Sequence, residues 1–216
     1  MQENDTCSPH HRDGDYPGDC EFTRSLLEKA AARTENQERG YAWRMCLPKA
    51  REVKLLLLDV DGVLTDGSIA YTDEGSEIKT FHVRDGFGMN LLRQAGVEIG
   101  LITARSSKAL ERRVRDLNLT HVYQGKRQKV EVFAQLIKEL QLAPAQVAYM
   151  GDDWLDLPLL ARVGFSATVA DSAPEVREIV DYVARRPGGR GAVREICDLI
   201  IDAKGLYQDL LGRYLS

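Results

Sequence analysis

Hydrophobic and polar positions settle into a regular alternation at Val53. From there, short apolar runs take turns with longer amphipathic ones. Runs rich in Val, Ile and Leu at 53–59, 97–102, 120–123, 146–150, 165–169 and 181–183 predict six strands. Spacings of three and four between them predict helices over about 86–95, 106–117, 127–141, 154–162 and 173–179. In the stretch 127–141, Val130, Phe133, Leu136, Ile137 and Leu140 fall on one stripe. Such alternation predicts an α/β fold: a three-layer, Rossmann-like sandwich around a parallel sheet. The domain is expected over 51–203, with a last helix from Ala192 to Ile201 and a helical tail over 204–216. No internal repeat appears.

One segment breaks the alternation. Residues 67–83 hold two β-leaning runs around Asp73-Glu74-Gly75-Ser76, which predicts a β-hairpin. It follows the first strand directly and would project over that strand's carboxyl end as a flap. No room remains for a larger inserted cap domain. The N-terminal 50 residues form an extension without readable chemistry. Residues 1 to about 22 read as a flexible polar tail, which is favoured over a metal site built from His10, His11 and their neighbours. Residues 22–39 have helical composition, and 41–50 are expected to be a linker ending at a Pro.

The first strand carries the first candidate chemistry. Four leucines, Leu55 to Leu58, run into Asp59-Val60-Asp61-Gly62. An unbroken apolar run reads as a strand buried on both faces. Ligands of open α/β sheets bind at the carboxyl ends of strands. Alone, two carboxylates two residues apart are more often a solvated acidic turn. Here three further strand ends carry polar groups: Thr103, the lysines Lys126 and Lys129, and Gly151-Asp152-Asp153 with Asp156 beyond. The bland alternatives are a helix cap for Thr103, solvated lysines, and an acidic helix start for Asp153 and Asp156.

Composition narrows the class. The 216 residues are 44% hydrophobic and 29% charged, with a net charge of −4. That balance gives no electrostatic footprint for nucleic acid or an anionic membrane surface. No apolar run approaches the roughly 18 residues of a membrane span. Cys7, Cys20, Cys46 and Cys197 show no metal-ligand spacing and read as reduced thiols. Residues 1–20 lack a charged-then-apolar targeting pattern, so a cytoplasmic location is expected.

The segments DVDGVLT, Thr103, Lys129 and GDDWLD, in that order, resemble the four motifs of the haloacid dehalogenase superfamily. The resemblance implies Asp59 as nucleophile on phosphorus and Asp61 as general acid/base. Thr103 would bind a phosphoryl oxygen and Lys129 would neutralise charge, with Lys126 as the fallback. Mg²⁺ would be held by Asp59, the Asp61 carbonyl and Asp152. Asp153 would contact a metal-bound water, and Asp156 would hold Lys129.

From Lys54 to about Leu199 the chain is similar, more closely, to the capless family of 3-deoxy-D-manno-octulosonate 8-phosphate phosphatases. These Mg²⁺-dependent tetramers serve lipopolysaccharide synthesis. This resemblance implies substrate contacts from His82, Val83, Arg84, Asp85 and Gly86, and from Arg105 and Arg113. Arginine suits bidentate recognition of a carboxylate. It also implies that the basic Gly-rich loop around Arg190 reaches a neighbouring subunit's site as a lid; a mobile surface loop is the bland alternative. Asn90 and Ala104 depart from the family pattern. Two alternatives stay open: a phosphatase for the nine-carbon homologue, and a non-catalytic tetramerisation module. Arg105 favours the eight-carbon substrate over the first. The presence of Asp59, Asp61, Lys129 and Asp152 weighs against the second. A binding protein assembled through residues 1–50 is a third option.

Overall fold

The computed structural model describes residues 40–215, together with Glu21, Phe22, Arg24, Ser25, Leu26, Glu28 and Lys29, which are helical. The tail expected over 1–22 and the helix expected over 22–39 otherwise lie outside the described residues. Helix α1 (Tyr41–Arg51) precedes strand β1 (Leu55–Leu58), and a hairpin of β2 (Ala70–Tyr71) and β3 (Glu77–Ile78) follows. Then come α2 (Val83–Gln94), β4 (Glu98–Ile102), α3 (Lys108–Leu117), β5 (His121–Tyr123) and α4 (Lys129–Glu139). The chain continues through β6 (Val147–Met150), α5 (Leu157–Leu160), β7 (Phe165–Thr168), α6 (Pro174–Ile179), β8 (Tyr182–Val183), α7 (Ala192–Ala203) and α8 (Tyr207–Gly212).

Six strands form one sheet in the order β5-β4-β1-β6-β7-β8, and every pairing is parallel. The six expected strands are all present. The leucine run explains the layers. Side chains alternate across a strand, so Leu56 and Leu58 enter one core with Trp43, Met89, Leu92 and Ile196. Leu55 and Leu57 enter the other with Phe133, Leu136, Tyr149 and Val176. All four are fully buried. The chain runs outward from β1 through β4 to β5, then returns to β6 on the other side of β1. Strand order therefore reverses beside β1, and the crevice at its carboxyl end is the expected ligand site of such sheets.

Two local expectations need correction. Residues 41–50 are helix α1, not a linker. Pro48 inside it costs about 3 kcal/mol of helix stability. Burial overrides this: Trp43, Cys46 and Ala50 point into the core. An indole alone hides roughly 200 Å² of surface, or about 5 kcal/mol. Trp43 also donates from Nε1 to Asp202 Oδ2 at 2.8 Å and meets Tyr182 edge-on. The second correction concerns the helix expected from residue 86. Helix α2 starts at Val83 and carries Gly86 and Gly88 within it. A Cβ at Gly86 would collide with Arg113 Nη2, and one at Gly88 with Arg194 Cδ. Close packing thus outweighs the poor helix propensity of glycine. The hairpin β2–β3 forms as expected, with Tyr71 opposite Glu77.

Candidate active site

Asp59 stands one residue past β1, and its N–H donates to the Met150 carbonyl at 2.9 Å, extending the β1–β6 ladder. The backbone then turns sharply. Gly62 has φ +91°. Thr65, buried, accepts at Oγ1 from the N–H groups of Gly62 and Gly67, both at 3.3 Å. Short hydroxyl side chains stabilise turns in this way, which gives the Thr of DVDGVLT a local structural task. Gly62 is required for a second reason. A Cβ there would collide with Asp152 Oδ2, so only glycine lets the first and fourth motifs approach this closely.

Lys129, at the start of α4, is 3% exposed and points back to these strand ends. Its Nζ lies 2.9 Å from Asp59 Oδ1, 2.6 Å from Asp156 Oδ1 and 3.0 Å from Tyr149 Oη. Lys126 is exposed. Burial alone would lower the Lys129 pKa, but Asp59 and Asp156 more than offset this and raise it. Asp156 is 1% exposed and uses both oxygens. Oδ1 takes Lys129 and, at 2.5 Å, the Tyr149 hydroxyl; Oδ2 accepts from the N–H groups of Asp152 and Asp153. It thereby fixes both the lysine and the Gly151–Asp153 turn. Burial, then the charges of Asp156 and Asp59, pushes the Tyr149 hydroxyl well above its ordinary pKa, so it stays a proton donor.

The donor set suits a hard divalent cation. Asp59, Asp152 and Asp156 each offer an oxygen within 4.8 Å of the others. Lys129 is in contact with Asp59 and Asp156, and the pKa values reveal the excess negative charge. Burial, countered by Lys129 but reinforced by Asp156, raises Asp59 to about 6. Burial and then the charges of Asp59 and Asp156 raise Asp152 to about 8. With Asp156 fully hydrogen-bonded, Asp59 and Asp152 are the carboxylates left to face a cation, and Mg²⁺ takes such oxygens.

A pH dependence follows from these values. A carboxylate whose pKa is raised in the fold destabilises the fold as pH climbs above its unfolded value. The metal-free protein is therefore expected to lose stability between about pH 4 and 8. Mg²⁺ competes with the same protons, so its affinity is expected to rise from about pH 6 to 8 and then level off. Calorimetric titrations in buffers of different ionisation enthalpy would register the released protons. An affinity that stays flat across that range contradicts the assignment of Asp59 and Asp152.

The remaining candidates are placed differently. Thr103 is buried just past β4, and its Oγ1 accepts from the Arg105 N–H at 3.3 Å. Asp153 is exposed and caps the short 3-10 turn over 154–156, accepting from the Trp154 N–H at 2.7 Å. Asp61 is met by the hairpin: Lys79 Nζ pairs with its Oδ1, and Arg105 Nε lies 3.8 Å from its Oδ2. Asp85 is buried and accepts from the N–H groups of Arg194 and Gly191, tying the start of α2 to the start of α7. Arg113 Nη2 donates to the His82 carbonyl, and its guanidinium lies over the Phe81 ring. Gly86 gives Arg113 that space. Val83 is 80% exposed. Arg84 and Arg190 flank a separate cavity of about 420 Å³ with Arg185, Arg186 and Arg194.

The basic Gly-rich loop packs against its own chain. The Gly189 N–H donates to the Val63 carbonyl at 2.9 Å, and a Cβ at Gly188 would collide with the Gly62 carbonyl. Arg190 reaches Asp66 at 3.4 Å. The loop thus braces the DVDGVLT turn from behind. Three residues of this site escaped the sequence reading: Tyr149, Glu77 and Lys79. A tyrosine in a buried strand signals a satisfied hydroxyl. A Glu on a hairpin strand and a Lys one residue past its end, two apart in extended chain, share one face.

Comparison with known proteins decides the family. The sequence profile of the haloacid dehalogenase-like hydrolases matches residues 118–196. The 3-deoxy-D-manno-octulosonate 8-phosphate phosphatase of Escherichia coli (strain K12) is 45% identical over 167 residues, spanning 77% of this chain and 89% of that protein. The chain belongs to the 3-deoxy-D-manno-octulosonate 8-phosphate phosphatase family. Crystal structures of this family agree in fold. The Yersinia pestis phosphatase superposes with a TM-score of 0.73 at 45% identity, covering 74% of this chain and 87% of that one. The Moraxella catarrhalis phosphatase, solved with a magnesium ion, a phosphate ion and a KDO molecule, superposes with a TM-score of 0.76 at 38% identity. That match covers 78% of this chain and 97% of the other. The α/β architecture and the parallel six-stranded sheet are those of the phosphatase family.

Proposed function

We propose that this protein is a Mg²⁺-dependent phosphatase that hydrolyses 3-deoxy-D-manno-octulosonate 8-phosphate to 3-deoxy-D-manno-octulosonate and phosphate, a step of lipopolysaccharide synthesis. The observation that carries the reading is the buried Asp59–Lys129–Asp156 constellation beside Asp152, in a chain 45% identical to such phosphatases. Asp59 attacks phosphorus and forms an aspartyl-phosphate as the alkoxide leaves. Asp61 gives that alkoxide its proton, then takes a proton from the water that hydrolyses the intermediate. Lys129 offsets charge on Asp59 and on a phosphoryl oxygen, and Thr103 donates a hydrogen bond to another. Asp59, Asp152 and the Asp61 carbonyl would hold Mg²⁺, which when bound offsets the repulsion between carboxylates and phosphate. Arg105 and Arg113 would recognise the sugar acid.

We assign the enzyme to the cytoplasm and to a homotetramer. Among the described residues, no helix is long and apolar enough to cross a membrane. Exposed Ile69, Tyr71 and Ile78 on the hairpin, with Val83 beside it, support burial against another copy. Phosphate release from the eight-carbon substrate, measured beside its nine-carbon homologue, tests the substrate. Metal-dependent turnover with an eight-carbon preference is expected. A nine-carbon preference would keep the chemistry and move the substrate. No turnover of either, with Mg²⁺ bound, would favour a non-catalytic module.

A further inference from the structure

The hairpin does more than cover the strand ends. Glu77 and Lys79 lie two residues apart, so both project from one face of the chain. Tyr71 is the cross-strand neighbour of Glu77. The Lys79 side chain is 2% exposed and pairs with Asp61 and, at 2.8 Å, with Glu77 Oε1. The other Glu77 oxygen, Oε2, lies 3.4 Å from Arg105 Nη2. Each oxygen of one carboxylate therefore faces a different cation. Hydrogen bonding from Lys79, opposed by burial and reinforced by the charges of Lys79 and Arg105, holds the Glu77 carboxyl below its ordinary range, so it is ionised.

The cluster is balanced: Asp61 and Glu77 against Lys79 and Arg105. It is also imperfect. Arg105 Nε is buried yet makes no hydrogen bond, and Asp61 Oδ2 stands 3.8 Å from it. A further carboxylate arriving here would find both cations taken.

We infer that Glu77 is a specificity-determining residue: its carboxylate occupies the seat on Arg105 that the carboxylate of the substrate takes by exchange. This inference rests on the phosphatase reading above, in which Arg105 recognises a sugar acid. The longer, more exposed Glu77–Arg105 contact is the one that opens, because such pairs contribute little. The shorter, buried Lys79 contact stays and keeps the hairpin anchored. A neutral sugar phosphate has no group to displace Glu77 and leaves Arg105 occupied. Discrimination for a sugar acid then comes from a competition inside the protein as well as from direct contact.

Calorimetric titration of the Mg²⁺-loaded protein with 3-deoxy-D-manno-octulosonate, and separately with inorganic phosphate, tests this. Glu77→Gln keeps the size of the side chain and removes its charge. It is expected to tighten octulosonate binding by about three- to tenfold and to leave phosphate binding within about twofold. Glu77→Ser should act in the same direction. Adding Arg105→Gln to Glu77→Gln should erase the gain, and thermal unfolding of each variant controls for the fold. Unchanged or weaker octulosonate binding overturns the inference. So does an equal gain for phosphate, which would report only a general loss of negative charge. A wild-type enzyme that releases no phosphate from the octulosonate 8-phosphate would instead sink the phosphatase reading itself.

Discussion

Asp59→Asn is expected to lower phosphate release by at least about four orders of magnitude, because the amide cannot attack phosphorus. The same substitution is expected to leave the metal-free protein as stable as the wild type, or more so. Asp59 is held at about pKa 6, raised chiefly by burial, so its ionised form destabilises the fold at neutral pH. An asparagine removes that charge while retaining the shape. The variant should also bind Mg²⁺ more weakly, since one of two available carboxylates is gone. An inactive, stable, metal-poor variant separates a nucleophile from a structural carboxylate. A variant that is merely unfolded, or one that keeps a tenth of its activity, would contradict this account of Asp59.

Lys129→Met is expected to have the largest effect on stability. The methionine fills the volume but leaves Asp59 and Asp156 facing each other without their ammonium. Breaking a buried ion pair from one side costs about 3–5 kcal/mol. Tyr149 remains on Asp156 Oδ1 at 2.5 Å, so part of that carboxylate stays satisfied. Denaturant unfolding of the metal-free protein near neutral pH measures the loss. The penalty should shrink as pH falls below about 6, because a protonated Asp59 no longer needs the cation. Lys126→Met, at an exposed position, should change stability by no more than about 0.5 kcal/mol. Equal effects of the two substitutions would remove Lys129 from the centre of the site.

Much of this fold is legible in the sequence because a parallel sheet demands it. Leu55 to Leu58 are apolar at every position, and only a strand buried on both faces needs that. The order of DVDGVLT, Thr103, Lys129 and GDDWLD follows from the same constraint, since ligand groups collect at strand ends. What escaped depends on distant partners. Helix α1 looks like a linker because of Pro48, and only the burial of Trp43 against Tyr182 and α7 makes it a helix. Helix α2 begins at Val83, three residues ahead of its expected start, and Gly86 and Gly88 within it leave room for the side chains of Arg113 and Arg194. Asp85 reads as a substrate contact by sequence. In the fold its carboxylate faces the Gly191 and Arg194 N–H groups. The pairing of Lys79 with Asp61 and of Glu77 with Arg105 joins a hairpin to two strand ends, and no local pattern encodes it.

In the proposed mechanism the phosphoryl group passes through Asp59. The most direct test is acid quenching of the enzyme during turnover of 3-deoxy-D-manno-octulosonate 8-phosphate, followed by mass spectrometry of its peptides. A phosphoryl group on Asp59 is expected to appear with Mg²⁺, to be absent with EDTA, and to be absent from Asp59→Asn. Steady release of phosphate with Asp59 unmodified throughout, or with the phosphoryl group on another side chain, would contradict that mechanism.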